Sequence, residues 1–353
     1  MNFHTIELYY KLSLTELSYI KDILWKSGKK TYPEKINGIP ILVSESLAEY
    51  GIVIRIHEYI TDNYKYAGLY YRINPRRMFE TGNYVGIFNS KNTDRLVEKF
   101  NSLVQSVSYM LPEFDSCILH RIDYCSNVEL SGQDEVCEYV KLLKRGYIPP
   151  KYGVQLYDDK KAKRRKMSKN GITIRGSNGV EITYYNKFRQ LKDEDKWLPD
   201  IDRANDIIRI EIRCNRKKIK HLSDKYGCTK VSTFLKHSDI IGNYVFKHYA
   251  NIFYGTGDFY KLDTIINKIN NASVKEKSKK VMKEVVTLSA KHSSLQKSFR
   301  VLGLTDKERK AIIKKFNKIG VSPVVIPRRS EFDTFSNPLT LALEWSEFDD
   351  LFE

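Results

Sequence analysis

The chain has 353 residues, with 60 Lys and Arg against 43 Asp and Glu, a formal charge of +17 at neutral pH. A hydrophobic fraction of 41% is enough for a packed core, which excludes a wholly disordered chain, and at roughly 100–200 residues per domain the length suggests two domains. Residues 331–353 hold seven acids and no Lys or Arg, so residues 1–330 carry +24, a charge that implies a polyanionic partner, most commonly nucleic acid.

Residues 3–10 read as a strand. Ser13-x-x-Glu16 then has capping-box spacing before Leu17, Ile20 and Ile23, which predicts a helix. Two strand-like runs, 51–59 and 66–73, flank the polar turn Thr61-Asp62-Asn63, so a hairpin is expected, with Asn74-Pro75-Arg76-Arg77 ending its second strand. Leu96, Val97, Phe100, Leu103, Val104 and Val107 recur at helical spacing within residues 92–111. A strand over 117–124 and an amphipathic helix over 133–143 follow. Further strands are predicted over 153–157, 171–175 and 180–185, the last two joined by the turn Gly176-Ser177-Asn178-Gly179, and another over 206–213. Beyond residue 229 strand patterns are expected to give way to helices separated by Gly242, Gly255, Gly257 and Gly303. The expected class is α+β, a mainly antiparallel sheet with flanking helices over residues 1–228, a smaller helical domain over 229–330, and an acidic tail over 331–353.

Alternate side chains of a strand face opposite ways, so each strand can be sorted by parity. Ile118 and Ile122 set an apolar face, which His120 shares, against Arg121 and Asp123. Val180, Ile182 and Tyr184 oppose Glu181, Thr183, Tyr185 and Lys187. Ile208, Ile210 and Ile212 oppose Arg209, Glu211 and Arg213. A half-solvated antiparallel sheet gives such alternation by default. Here Asp123 and Glu211 each also have an Arg beside them on their own face, and one strand adds a Tyr. If the strands are neighbours, the combination suits phosphodiester transesterification. Asp123 and Glu211, with Glu181 third, would hold Mg²⁺ or Mn²⁺ through hard oxygen ligands, a tyrosine hydroxyl would attack phosphorus, and Arg and Lys would steady the developing charge.

At these residues the sequence resembles the rolling-circle replication endonucleases of filamentous phages, the gene II/X protein family, and their plasmid-borne relatives. Arg121-Ile122-Asp123 is similar to the family's R-I-D strand, Tyr185-Asn186-Lys187 to its Y-x-K motif, and Ile208-Arg209-Ile210-Glu211-Ile212-Arg213 to its [IV]-R-[FI]-E-x-R strand, in the same order. The resemblance covers most of residues 50–225, with Asn74-Pro75-Arg76-Arg77, the basic segment holding Lys217 and Lys218, and weakly Ser298-Phe299-Arg300-x-Leu302-Gly303 as further matches. It implies a relaxase-like nuclease domain that nicks and rejoins origin DNA through a covalent 5′-phosphotyrosine, with Tyr185 as nucleophile and Lys187, Arg121, Arg209 and Arg213 on phosphate oxygens. A conjugative relaxase acting at a transfer origin and a DNA-binding regulator without catalysis remain open beside it. The His-hydrophobe-His metal motif of better known relaxases is absent from this sequence.

Other features bear on partners. Lys160, Lys161, Lys163, Arg164, Arg165, Lys166 and Lys169 fall within ten residues that contain no acid, and an arm tracking DNA phosphates is expected there, with Arg76, Arg77, Lys217 and Lys218 as further DNA contacts. Tyr64, Tyr66, Tyr70 and Tyr71 cluster at the first hairpin, where base stacking and ordinary sheet packing are both open. Thr305-x-x-Glu308 opens a basic helix that residues 293–302 could join in a helix–turn–helix reading double-stranded DNA, or in plain helical packing. The tail from Trp345 to Glu353 alternates acids with aromatics, fitting either an unstructured end or a docking peptide for a host helicase, single-strand-binding protein or clamp. Met1 to Leu8 lacks the regions of a signal peptide and no run reaches about 18 apolar residues, so a cytoplasmic chain without a membrane partner is expected. Cys117, Cys125, Cys137, Cys214 and Cys228 include no C-x-x-C pair and suggest reduced filler.

Overall fold

The computed structural model describes residues 2–27, 30–36, 39–61, 64–80, 84–155, 170–194 and 201–342. The cationic run at 160–169, the turn residues Asp62 and Asn63, and the tail beyond 342 lie outside the described residues. The chain is α+β, with extensive antiparallel pairing. It divides into two compact units, each discontinuous in sequence: Met1–Cys125, Asn178–Val180 and Arg213–Gly242 in the first, and Ser126–Ser177, Glu181–Ile212 and Asn243–Glu353 in the second. The expected division at residue 228 falls inside the last segment of the first unit.

In the first unit, β1 (Phe3–Leu12), β2 (Thr31–Ile36), β3 (Ile39–Ser44), β4 (Ile52–Thr61), β5 (Tyr64–Ile73) and the start of β6 (Ile118–Glu129) pair antiparallel in the order β2-β3-β4-β5-β1-β6. Ile6, Leu8, Ile54, Ile56, Leu69, Tyr71 and Ile73 are fully buried on one face of these strands. Against them pack Ile20 and Leu24 of the helix Leu14–Lys26 and Leu96, Phe100 and Val104 of the helix Thr93–Val107, with Tyr71 edge-on to Phe100 at 5.0 Å. Burying each such side chain contributes about 1.5–3 kcal/mol. The first helix starts where the sequence predicts: Ser13 Oγ accepts from Glu16 N at 3.2 Å and Glu16 Oε2 accepts from Ser13 N at 2.7 Å.

Three expectations change. β2 and β3 are strands that the pattern does not announce. β2 stands at the end of its strand order, where Pro33 and the charges Glu34 and Lys35 are tolerated because one edge makes no ladder among the described residues. Asn74-Pro75 does more than end β5, since Asn74 Oδ1 accepts from Arg77 N and Pro75 takes the first position of the short helix Pro75–Phe79. The parity of β6 also breaks. Glu7 pairs with Arg121 and Leu8 with Leu119, which makes His120 an extra residue in a β-bulge. Ile118 is therefore 48% exposed while Leu119 is buried, and Ile118 does not share the face of Ile122.

The second unit carries the end of β6, β7 (Tyr152–Gln155), β8 (Gly171–Gly176), β9 (Val180–Asn186) and β10 (Ile207–Asn215), with β9 between β8 and β10. β8 and β9 pair antiparallel with Gly171 opposite Tyr185 and Ile174 opposite Ile182. The expected all-helical character beyond residue 229 is overturned. β11 (Asp258–Lys261), β12 (Val321–Ile326) and β13 (Thr334–Phe335) form a separate sheet in the order β12-β11-β13. β11 and β12 are parallel, and the helices Leu262–Asn271, Glu276–His292, Leu295–Val301 and Asp306–Lys318 lie between them in the chain, supplying the crossover that parallel strands require. β12 is buried on both faces, so it shows no alternation, and Pro323 further disguises it. Thr305 caps the last of these helices, with Glu308 returning the bond to Thr305 N at 2.8 Å. No helix among the described residues is long and apolar enough to cross a membrane.

Candidate functional site

The charged side chains singled out by strand parity gather in two groups, one in each unit. In the second unit, β9 and β10 bring Tyr185 and Glu211 together. The Tyr185 hydroxyl donates to Glu211 Oε1 at 2.6 Å. Tyr184 turns to the core and is fully buried, as parity requires, whereas Tyr185 keeps 4% of its surface. Gly171 explains how Tyr185 is seated. A Cβ on Gly171 would lie 2.5 Å from Tyr184 O and 2.7 Å from Tyr185 Cβ, so only glycine lets the strands close there.

Lys187 is not a strand residue. Asn186 ends β9 and caps the helix Lys187–Asp193, accepting from Arg189 N at 3.0 Å, so Lys187 stands at the first helical position. Its Nζ lies 5.8 Å from the centre of the Tyr185 ring and donates to Gln190 Oε1 at 2.8 Å. Glu181 meets Arg175 Nη2 at 2.7 Å. Arg209, predicted on a phosphate-facing surface, is fully buried, and its Nε donates to Asn127 Oδ1 at 2.9 Å. With no exposed surface it braces β10 against β6 and does not present its guanidinium to a ligand. Asn127 carries no motif and was invisible in the sequence.

In the first unit, Asp123 is 1% exposed and held by two arginines. Arg121 donates through Nε at 2.8 Å and through Nη2, and Arg213 through Nε at 3.1 Å and Nη2 at 3.3 Å, so both carboxylate oxygens face guanidinium groups. Burial would raise the Asp123 carboxyl, but the two positive charges and their hydrogen bonds outweigh it and hold the group well below the usual carboxylate range. Arg121 also borders Glu7, whose Oε1 lies 2.9 Å from His120 Nδ1. Burial works against the Glu7 carboxylate. The His120 contact and the charges of His120, Arg121 and Arg72 still lower its pKa.

Of the proposed DNA contacts, Arg76 pairs with Glu80 at 2.5 Å, and Arg77 donates to Ala48 O at 3.1 Å while lying over the Tyr84 ring. Lys217 is exposed and Lys218 is buried in the helix Arg216–Tyr226. Burial pushes the thiols of Cys117 and Cys214 up to about 12, in keeping with inert filler.

The expected metal ligands can be tested by their surroundings. Mg²⁺ and Mn²⁺ take hard oxygen ligands such as carboxylates. Both Asp123 oxygens already accept from guanidinium groups. Glu211 accepts from Tyr185 and Glu181 from Arg175, and no three His, Cys, Asp or Glu side chains come together among the described residues.

Comparison with known proteins returned no matching family model, no similar curated protein and no similar solved structure.

Proposed function

We propose that the chain is a DNA nicking-and-joining enzyme that initiates rolling-circle replication, with Tyr185 as nucleophile and Glu211 as its base. The observation that carries this reading is the 2.6 Å bond from the Tyr185 hydroxyl to Glu211, with Lys187 beside the ring. In water a phenol and a carboxylic acid differ by about six pKa units, so a full proton transfer before attack would cost about 8 kcal/mol. Glu211 therefore takes the proton as the oxygen–phosphorus bond forms. The Tyr185 oxygen bonds to phosphorus, the bond from phosphorus to the 3′ oxygen breaks, and the leaving oxygen takes the proton back from Glu211. The products are a 3′-hydroxyl primer and a 5′-phosphotyrosine, and the reverse steps rejoin the strand. Arg121, Arg213 and the Lys160–Lys169 arm are proposed to hold backbone phosphates, and Arg209 to act as a positioning residue.

The resemblance of Tyr185-Asn186-Lys187 and its flanking strands to phage initiators supports this assignment, as does the +24 carried by residues 1–330. One observation favours a second reading, a DNA-binding protein without catalysis: Tyr185 is 4% exposed, so its ring must open before phosphate can reach the hydroxyl. Incubation with a labelled single-stranded oligonucleotide, followed by denaturing electrophoresis, separates the two. A covalent adduct that Tyr185→Phe abolishes supports the enzyme. Binding without any adduct supports the regulator.

A further inference from the structure

The face of the first unit's sheet opposite its apolar core carries a connected row of rings. Tyr59 and Tyr66 are in register across β4 and β5 and stack at 4.4 Å, with 13° between their planes. His57 follows, 4.4 Å from Tyr70, and Tyr70 lies 5.1 Å from Tyr9 and 5.3 Å from His120. Gly68 makes the row possible. A Cβ on it would meet Tyr9 Cε2 at 2.5 Å, so the Tyr9 ring lies across bare backbone between its neighbours.

These rings differ from core aromatics. Tyr71, one residue from Tyr70, is fully buried on the other face, whereas His57, Tyr59, Tyr66, Tyr70 and His120 are each half-buried. Cations border them. Arg55 is in register with Tyr70, Arg72 with Glu7, and the Arg216 guanidinium sits 5.6 Å above the Tyr9 ring. Burial lowers the His57 pKa, so this ring is neutral near pH 7 and offers an uncharged π-face.

Flat half-buried rings bordered by guanidinium groups match unpaired nucleobases joined by phosphates. Every base has a π-face to stack, and each phosphate finds a cation. A duplex hides its base faces within its own stack. We propose that this face is a base-stacking platform for single-stranded DNA, an inference that rests on the reading of the chain as a DNA enzyme but uses none of its catalytic residues.

Fluorescence anisotropy of the full chain with labelled oligothymidylate, and with an abasic strand of equal length, tests it. The wild type should bind the base-bearing strand roughly tenfold more tightly. Tyr59→Ala with Tyr66→Ala should weaken oligothymidylate binding roughly tenfold or more and leave the abasic strand unaffected, while Tyr59→Phe with Tyr66→Phe, which keeps the rings, should stay within about twofold of wild type. Should the alanine variant fail to fold, ultraviolet crosslinking of the wild type and mass spectrometry should locate thymine on Tyr59, Tyr66 or His57. Equal affinity for the two strands, or crosslinks confined to other regions, would overturn the platform. Tyr185→Phe should bind like wild type. An adduct at Tyr185 without any base preference sinks the platform alone, and a base preference without an adduct sinks the nicking reading alone.

Discussion

Replacing Asp123 by Asn removes one negative charge from between two guanidinium groups and changes almost nothing in shape. Asp123 is 1% exposed, and it accepts from the two arginines at 2.8, 3.1 and 3.3 Å, besides a shorter bond from Arg121 Nη2. The asparagine amide can accept from one arginine at most and turns its NH₂ toward the other. Breaking a buried ion pair from one side costs about 3–5 kcal/mol, and the part-exposed Arg213 places the expected loss near 3. Urea unfolding followed by fluorescence reads this directly. With a slope of about 3 kcal/mol per molar, the midpoint should fall by about 1 M. Because the folded-state pKa is depressed, this stabilisation is complete above the unfolded Asp value of about 3.9 and is lost as pH falls through the folded value. The gap between wild type and Asp123→Asn should therefore narrow below about pH 4. If Asp123 were instead a metal ligand, Mn²⁺ would raise the wild-type midpoint and the variant would lose that gain. An unchanged midpoint in the variant, or a Mn²⁺ shift confined to wild type, would refute the ion-pair account.

Other outcomes follow from the same packing. Gly171→Ala should lower the melting temperature, since overpacking costs about 1–3 kcal/mol, and should slow adduct formation by up to about a hundredfold if Tyr185 shifts by about 1 Å. A normal adduct rate would show that the strand contact does not seat the nucleophile. Burial lowers the folded His57 pKa below the unfolded value of about 6.5, so stability is complete above that value and declines as pH drops toward the folded one. His57→Phe should flatten this part of the stability curve, as followed by thermal melts across pH 5–8. A wild-type slope persisting in the variant would assign it to another group.

Local signals were the readable ones. The two capping boxes, Ser13 with Glu16 and Thr305 with Glu308, begin helices at their predicted residues, because a cap is settled by neighbours in sequence. Parity also placed Tyr185 and Glu211 on one side of β9 and β10, and their bond follows from it. Parity failed at His120, where one inserted residue turned Ile118 outward, and a bulge leaves no reliable trace in composition. It also mistook Arg209 for a surface cation, since full burial depends on Asn127 from a distant segment. Asp123 was legible as a carboxylate among arginines. Its role could not be read, because a metal ligand and a buried ion pair use the same residue types and differ only in where the guanidinium groups point.

A nicking-and-joining enzyme of the kind proposed would bond DNA covalently to Tyr185. Peptide mapping by mass spectrometry, after incubation of the full chain with supercoiled origin plasmid and with a matching single strand, tests it most directly. The peptide containing Tyr185 should carry a nucleotide-phosphate mass, absent from Tyr185→Phe and strongly reduced in Glu211→Gln. A phosphotyrosine on Tyr184, or nicking at full rate by Tyr185→Phe, would contradict it.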